Sequence, residues 1–271
     1  MLAVCSVQRF REPWIHEWLA FHQYQGVSRF YLYLDRADQL SIDLVSDLGK
    51  VYDLVVYRLD QGIIVPQLVS YQHCYQNHGH EFDWCAFIDG DEFLFREGGG
   101  DLLELVNDAG YHRATALAVY WSVFGSSHHS HEPRGLITEN FRRRANLDHA
   151  INRQFKCLVR GRQWSGFRVS LSSHWFHTLN QTWDLQSRPI EQAQWSAEGW
   201  IQSPWPADHS LARINHYATQ SYQYFVDYKQ HHEAIDRYQA ETRTKAWFDQ
   251  YDRNEVLDHS LEFMPQRWYK G

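Results

Sequence analysis

Trp84-Cys-Ala-Phe-Ile-Asp-Gly-Asp-Glu-Phe-Leu94 is the most informative segment of this 271-residue chain. Its first five residues are apolar at successive positions, which predicts a strand buried on both faces inside a sheet. Three acidic residues follow directly after that strand. In open α/β sheets, ligands bind beyond the carboxyl ends of the strands. The segment therefore predicts a buried strand that ends at a functional edge.

Strand and helix signals alternate on the N-terminal side of this segment. Residues 2–7, 29–34 and 52–57 are rich in β-branched, aromatic and other apolar residues, which predicts three more strands. Helices are predicted between them, over residues 13–26, 40–49 and 66–79. The order β-α-β-α-β-α-β predicts an α/β fold with a mostly parallel central sheet flanked by helices.

The second half of the chain has a weaker pattern. The predicted helices here cover residues 101–108, 137–150 and 218–239, and the predicted strands cover 116–121, 155–160 and 167–171. Residues 178–210 show no clear period. Because no repeat or low-complexity linker interrupts the chain, we predict a single domain over residues 1–271 with an elaborated C-terminal part.

Composition excludes several classes of protein. The net charge is −7, and the only basic run is Arg142–Arg144, so a nucleic acid is not expected as a partner. The four cysteines form no C-x-x-C motif, which predicts reduced, buried thiols. The sequence shows neither a signal peptide nor an apolar stretch of about 18 residues, so we expect a cytoplasmic protein without a transmembrane segment. Peripheral membrane contact and the oligomeric state stay open.

Asp89, Asp91 and Glu92 are the candidate metal site. Three carboxylates packed together are unfavourable without a counter-charge, and a hard cation with oxygen ligands would neutralise them. Mn²⁺ or Mg²⁺ bound to Asp89 and Asp91 could bridge a diphosphate and stabilise it as a leaving group. Gly90 is expected to let the backbone turn between the two aspartates. The alternative is an acidic turn without a ligand.

A wider pattern runs along most of the chain. In combination, its segments resemble the glycosyltransferases of the family 2/family 92 type. The matching segments are Glu12–Gly26 (Glu-Pro-Trp-Ile-His-Glu-Trp-Leu-Ala-Phe-His-Gln-Tyr-Gln-Gly), Phe30–Asp35, Gln67–Tyr71, Asp83–Phe93 with its Asp-Gly-Asp-Glu-Phe motif, Trp121–Ser127 (Trp-Ser-Val-Phe-Gly-Ser-Ser), Lys156–Arg160 (Lys-Cys-Leu-Val-Arg), and Asn215-His216-Tyr217 followed by Ser221, Phe225 and Lys229.

This resemblance implies a GT-A fold, a nucleotide-sugar donor (a UDP-sugar by analogy) and a carbohydrate acceptor in polysaccharide or other glycan synthesis. Residues 1–95 would form the nucleotide-binding half, and 96–271 the acceptor half with C-terminal helices. Asp35 would face the base or ribose and Glu12 would support that wall, although Glu12 could simply favour a helix N-terminus. Glu92 is expected to orient the metal ligands or to form a salt bridge with a neighbouring side chain.

Further site residues follow from the same resemblance. Lys156 and Arg160 lie on one face of a strand and are expected to meet the diphosphate. A third metal ligand could come from His174 or His216, and an imidazole ligand would suit Mn²⁺ better than Mg²⁺. The alternative for either residue is an ordinary hydrogen-bonded histidine. Trp121 could stack on the acceptor sugar, or it could belong to the core.

Transfer with inversion, which the resemblance implies, needs a general base on the acceptor hydroxyl. Glu139, which follows the predicted acceptor loop, is the first candidate, with Asp91 acting in catalysis through the metal. Asp148 and Asp184 are alternative bases, and Glu139 could instead pair with the nearby arginines. The histidines at 128, 129 and 131 lack the organised partners that a zinc site requires.

Two other functions remain compatible with the sequence. A nucleotidyltransferase that makes a nucleotide-sugar would also use a metal and a parallel sheet, but its usual glycine-rich loop after the first strand is replaced here by Gln8–Glu12. A catalytically inactive glycan-binding module would not need the Asp89 and Asp91 pair.

Overall fold

The computed structural model describes residues 1–108, 111, 114–161, 168–169, 172–196, 201–230 and 243–262. The main elements of the first half alternate in type as predicted. They are β1 (Leu2–Gln8), α1 (Ile15–Tyr24), β2 (Val27–Leu34), α2 (Gln39–Leu48), β3 (Leu54–Arg58), α3 (Pro66–His78), β4 (Trp84–Phe87), β5 (Glu92–Arg96) and α4 (Leu102–Val106).

The second half of the described chain contains shorter elements. They are β6 (Ala116–Val123), α5 (Ile137–Asn140), β7 (Arg143–Arg144), a 3-10 helix (Ala150–Arg153), β8 (Phe155–Arg160), β9 (Arg168–Val169), β10 (Phe176–His177), β11 (Thr182–Asp184), β12 (Pro189–Ile190), β13 (Gln194–Trp195), β14 (Ile201–Gln202), β15 (Ala212–His216), α6 (Tyr222–Tyr224), a π-helical turn (Phe225–Lys229), α7 (Lys245–Tyr251) and β16 (Val256–Leu257).

One large sheet organises these elements in the order β12-β11-β6-β8-β4-β1-β2-β3, with β15 between β6 and β5. The strands β3, β2, β1 and β4 are parallel. Strand β8 runs antiparallel to both β4 and β6, so β6 has the direction of β4. The structure confirms the predicted α/β fold with a central sheet, and its parallel strands are concentrated in the first half.

This topology gathers the ends of many strands at one edge of the sheet. The carboxyl ends of β1, β2, β4, β6 and β15 meet there, together with the amino end of β8. Each face of the sheet carries its own core. The first contains Trp18 and Phe21 from α1 with Phe93, and the second contains Tyr71 from α3 with Phe87. Packing on both faces holds the strands that form this edge in place.

The predicted helix over residues 137–150 is wrong beyond Asn140. Arg143 and Arg144 form a strand that pairs antiparallel with Leu257 and Val256. The Nε of Arg144 donates to Asp258 Oδ2 at 2.5 Å. Because Asp258 comes from more than 100 residues away along the chain, this tertiary pairing overrides a local helix propensity.

Two other segments differ from their predictions. The described residues between 178 and 210 contain four short strands, and β15, which follows at Ala212, was not predicted although it is a central strand. The predicted helix over 218–239 begins only at Tyr222 and changes to a π-helical turn at Phe225, while residues 231–239 lie outside the described part of the chain.

The four cysteines are buried free thiols, as predicted. In the described part of the chain, none of the helices has both the length and the apolar character that a membrane crossing requires.

Candidate active site

The turn after β4 lies at the edge where the strand ends meet. A Cβ atom on Gly90 would lie 2.5 Å from Gln8 Oε1 and 3.0 Å from Arg11 Cγ. Gly90 does not adopt a positive φ, so the close approach of the loop after β1, rather than an unusual backbone angle, requires glycine here. This close packing holds Asp89 and Asp91 against the first loop of the sheet.

Asp89 is fixed by side chains from two elements. Lys156, at the start of β8, donates to Asp89 Oδ2 at 3.1 Å. Gln67 Nε2 donates to Asp89 Oδ1, and the Tyr71 hydroxyl lies 3.4 Å from the same oxygen. Val65, which precedes this turn of α3, has a φ of 52°. A left-handed conformation is strained for a β-branched residue, and such strain is concentrated at functional sites.

Glu92 lies beneath this turn and is fully buried. Its Oε2 accepts a hydrogen bond from the Asp89 N–H at 2.8 Å and lies 4.0 Å from Lys156 Nζ. Burial raises the pKa of Glu92 well above its usual range, opposed by Lys156 and reinforced by the charge of Asp89. Glu92 therefore fixes the backbone of the turn from inside the core rather than facing a ligand.

Asp91 is buried and interacts with two groups from the C-terminal half. The Lys229 ammonium donates to Asp91 Oδ2 at 2.5 Å, and His216 Nε2 lies 3.7 Å from Asp91 Oδ1. Burial by itself would raise the pKa of this carboxyl. The Lys229 ammonium, the adjacent His216 and the Arg11 guanidinium outweigh that effect and hold its pKa well below the usual range. Asp91 is therefore ionised at neutral pH.

His216 and His174 both lie against the Trp121 ring. The ring centroid of Trp121 is 4.1 Å from that of His216 and 5.1 Å from that of His174. The Nδ1 of His174 is 2.8 Å from the Phe155 carbonyl oxygen, whereas Nδ1 of His216 and Nε1 of Trp121 have no hydrogen-bond partner among the described residues. Burial lowers the pKa of His216 to about 4, so its imidazole is neutral.

These side chains fit a divalent cation in part. No three His, Cys, Asp or Glu side chains of the described residues are arranged to hold a metal by themselves. Asp91 and His216 nevertheless present a carboxylate oxygen and a neutral ring nitrogen 3.7 Å apart. Mg²⁺ and Mn²⁺ sites of this kind use few protein ligands and are completed by substrate phosphates and water. Of the two predicted histidines, His216 is thus the one beside Asp91.

Two residues of the predicted nucleotide wall lie at the same edge. Asp35, just after β2, is buried and paired with Arg9. Glu12 accepts a hydrogen bond from the Ser41 hydroxyl at 2.5 Å, at the first turn of α2. Both contacts therefore connect the loop after β1 to the segment that follows β2. Whether either contacts a nucleotide stays a prediction.

Arg160 is not brought to this site. Its backbone pairs with Trp84 at the opposite end of β4, and its guanidinium lies 4.3 Å above the Trp84 ring. Its Nε and Nη2 donate to the carbonyl oxygens of Ala114 and Tyr111, both at 3.0 Å. Four residues of extended chain separate it from Lys156, which is about 13 Å. The predicted contact of Arg160 with a diphosphate is therefore wrong, whereas that of Lys156 stays a prediction.

Glu139 is exposed on α5, beyond the loop that follows β6. No hydrogen bond or ion pair connects it to the described residues around Asp89 and Asp91. Its helix is held by Glu17 of α1, whose carboxylate accepts from the backbone N–H groups of Ile137 at 2.7 Å and Thr138 at 3.0 Å. Glu17 therefore caps α5 from another element, because Leu136 has no side chain that could do so.

The pKa of Glu17 gives a prediction about stability. Burial raises this pKa to about 7, opposed by its hydrogen bonds to Thr138 and Ile137. Because the folded-state pKa is raised, the stability that Glu17 contributes is fully present below its unfolded-state pKa and is lost as the pH rises through about 7. The wild type should therefore lose about 2–3 kcal/mol between pH 5 and pH 8 relative to Glu17→Gln. Urea unfolding of both proteins across that range checks this. Parallel pH curves would contradict it.

The other candidate site residues either have structural roles or are exposed. Asp184 is buried and accepts from Arg188 Nε at 2.6 Å and from the Tyr120 hydroxyl at 3.0 Å, so it serves the core. Asp148 and His128 are exposed. Ser127 belongs to the turn after β6, where its hydroxyl accepts from the backbone of Arg142 and Arg143.

Sequence reasoning missed the roles of four residues. Gln67 and Tyr71 are spaced i, i+4, so they lie on one face of α3 toward Asp89, and this spacing could have indicated them. Lys229 was noticed only as part of a motif. Glu17 had no local signal, because its partners are 120 residues further along the chain.

The chain matches the family model of glycosyltransferase family 92 over residues 1–256. Two plant proteins of that family are similar to parts of it. The relative from Ricinus communis is 29% identical over 104 residues, which cover 38% of this chain and 18% of the relative. The relative from Arabidopsis thaliana is 28% identical over 100 residues, which cover 35% of this chain and 16% of the relative. The matched region thus spans less than a fifth of either relative.

These matches place the chain among the glycosyltransferases. It belongs to glycosyltransferase family 92. Among solved structures, S. aureus TarS residues 1–349 in complex with UDP is similar, with 16% sequence identity and a TM-score of 0.34 over 46% of this chain and 36% of that chain. S. aureus TarS has a TM-score of 0.37 and 15% identity over 59% of this chain and 28% of that chain.

Proposed function

We propose that this protein transfers a sugar, with inversion, from a nucleoside-diphosphate sugar to a carbohydrate acceptor, and that it uses Mn²⁺ or Mg²⁺. The observation that carries the proposal is the position of Asp91. It is an ionised, buried carboxylate at the carboxyl edge of the sheet, 3.7 Å from a neutral imidazole of His216 and next to Asp89. An α/β sheet binds its ligands at this edge.

Asp91 and His216 would hold the cation, and Asp89 would face the nucleotide sugar. When bound, the divalent cation supplies Lewis-acid stabilisation of the leaving diphosphate. Lys156 fixes the Asp89 carboxylate, and Glu92 fixes the backbone N–H beside it, so the turn is already ordered before the donor arrives. Such preorganisation lowers the cost of reorganising charge during the reaction.

We place the acceptor site beside the loop after β6 and beside α5. Glu139 is our proposed general base, because its carboxylate is exposed and its helix is anchored to α1 through Glu17. Trp121 is 4% exposed, so it supports His216 and His174 from the core side as the structure stands. An acceptor sugar could stack on Trp121 only if one of these two histidine rings moved away from it. A UDP-sugar is the donor that we propose, and polysaccharide or another glycan is the acceptor.

Nucleotide binding tests this proposal. We expect one of UDP, GDP and CDP to raise the melting temperature of the wild type in the presence of Mn²⁺ and not in its absence. A nucleotide at about 100 times its Kd should stabilise the fold by about 2.7 kcal/mol. In Asp91→Ala, the Mn²⁺-dependent part of this shift should vanish.

Other outcomes would select other functions. Consumption of a nucleoside triphosphate together with a sugar 1-phosphate would indicate a nucleotidyltransferase. Glycan binding without donor hydrolysis under any metal would indicate a binding module. An equal thermal shift in the wild type and in Asp91→Ala would reduce Asp89–Asp91 to an acidic turn.

A further inference from the structure

Lys229 occupies an unusual position at this site. Its ammonium is 2.5 Å from Asp91 Oδ2, and the side chains of Lys229 and Asp91 are 18% and 7% exposed. A buried carboxylate is costly without a counter-charge, so the pairing stabilises the protein as it stands. The same carboxylate is the one that the proposed cation requires. Lys229 and a divalent cation thus compete for Asp91.

We propose that Lys229 is an exchangeable counter-cation of the donor site, which neutralises Asp91 before loading and moves to the donor diphosphate when cation and donor bind. The inference rests on the proposed function and adds to it a residue and an order of events. No covalent bond changes in this step.

Electrostatics favour the exchange. Mg²⁺ binds a carboxylate oxygen at about 2.0–2.1 Å, which would bring such a cation close to an ammonium bonded to the other oxygen of the same group. Two cations at that separation repel strongly inside a protein, where screening is weak. Cation binding therefore drives the ammonium away from Asp91. The displaced ammonium, still partly buried, needs a new anion, and a diphosphate provides one.

The two lysines of the site differ in their freedom to move. Lys156 is fully buried and bonded to Asp89 at 3.1 Å and to the Ser173 hydroxyl at 3.3 Å, so it is fixed within the core. Lys229 ends the π-helical turn Phe225–Lys229, its side chain is partly exposed, and its Nζ lies 5.9 Å from the Tyr224 ring centroid. π-helical turns often mark functional sites. A four-carbon side chain on such a turn can change partner without moving the backbone.

Binding of the cation and the nucleotide should then be coupled. Each ligand lowers the free-energy cost of binding the other, because the cation displaces the Lys229 ammonium from Asp91 and the diphosphate then binds that ammonium. Such coupling is reciprocal by thermodynamic necessity. In the wild type, we expect UDP to raise the affinity for Mn²⁺ and Mn²⁺ to raise the affinity for UDP by the same factor.

The test is Lys229→Met, which removes the charge and keeps most of the side-chain length. Titration with Mn²⁺ alone, followed by electron paramagnetic resonance of the unbound ion, should give binding at least about tenfold tighter than in the wild type. UDP binding at saturating Mn²⁺, measured by calorimetry, should be about tenfold weaker. Lys245→Met, whose ammonium is exposed, is the matched control and should change neither value.

A higher affinity for Mn²⁺ together with a lower affinity for UDP supports the exchange. If Lys229 only stabilised the site, its replacement would lower both affinities. A weaker or unchanged affinity of Lys229→Met for Mn²⁺ alone would overturn the inference. If that variant does not fold, Lys229→Gln replaces it with the same expectations. A wild type in which Mn²⁺ and UDP promote each other's binding, while Lys229→Met leaves both affinities unchanged, overturns this inference alone. A wild type that binds neither Mn²⁺ nor UDP, GDP or CDP overturns the proposed function and this inference with it.

Discussion

Replacing Asp91 with asparagine is expected to abolish Mn²⁺-dependent nucleotide binding and to lower the rate of sugar transfer at least about 10²–10³-fold. Asparagine keeps the shape of the side chain but removes the charge that would hold the cation. A cation at a leaving group contributes several kcal/mol to the transition state, and each 1.36 kcal/mol is a factor of ten in rate. Donor turnover in the presence of Mn²⁺, with and without an acceptor glycan, measures the loss.

The same variant should also be less stable by about 1–3 kcal/mol, because the Lys229 ammonium loses its carboxylate partner at 2.5 Å. The double variant Asp91→Asn/Lys229→Met should regain most of that stability and none of the activity. This pair separates a loss of chemistry from a loss of folding. Asp249→Asn, which breaks an exposed pair with Lys245, is the matched control. Transfer activity in Asp91→Asn within tenfold of the wild type would reject the assigned role of Asp91.

Replacing Lys156 with methionine is expected to destabilise the protein by about 3–5 kcal/mol. Lys156 is fully buried, and its ammonium lies 3.1 Å from Asp89 Oδ2 and 4.0 Å from Glu92 Oε2. Removing one member of a buried ion pair leaves an uncompensated charge, which is costlier than never having buried the pair. The midpoint of urea unfolding at pH 7.5 gives the change.

A double-mutant cycle identifies the carboxyl responsible. Glu92→Gln removes the buried acid below Lys156, so Lys156→Met/Glu92→Gln should be more stable than the sum of the two single effects predicts. Lys245→Met is the control and should change the free energy of unfolding by less than about 0.5 kcal/mol. A loss below about 1 kcal/mol in Lys156→Met would show that the Asp89 turn is held by Gln67 and Tyr71 instead.

The first half of the fold could be predicted because its signals are local. The predicted helix over 66–79 corresponds to α3 at Pro66–His78, and the predicted strand over 84–88 to β4. Proline at the first helical position and an unbroken apolar strand act through the backbone and through burial, which neighbouring residues suffice to indicate. The family was indicated for the same reason, since its motifs are short and contiguous.

The second half could not be predicted as well, because its elements depend on distant partners. Arg143 and Arg144 were predicted as helix, yet they extend to pair with residues 256–257. Strand β15 looks irregular in sequence, and it becomes a strand because β5 and β6 supply hydrogen-bond partners on both sides. Strand formation of this kind depends on context more than on propensity.

The sequence by itself determined the α/β class, the family and the acidic turn at Asp89–Asp91, because each is written in consecutive residues. Only the tertiary structure decided what surrounds that turn. It brought Lys156, His216 and Lys229 to the two aspartates and left Arg160 at the far end of the same strand. The physical reason is that charge pairing acts over a few ångströms in space. Strand direction and register, which no short segment encodes, set those distances.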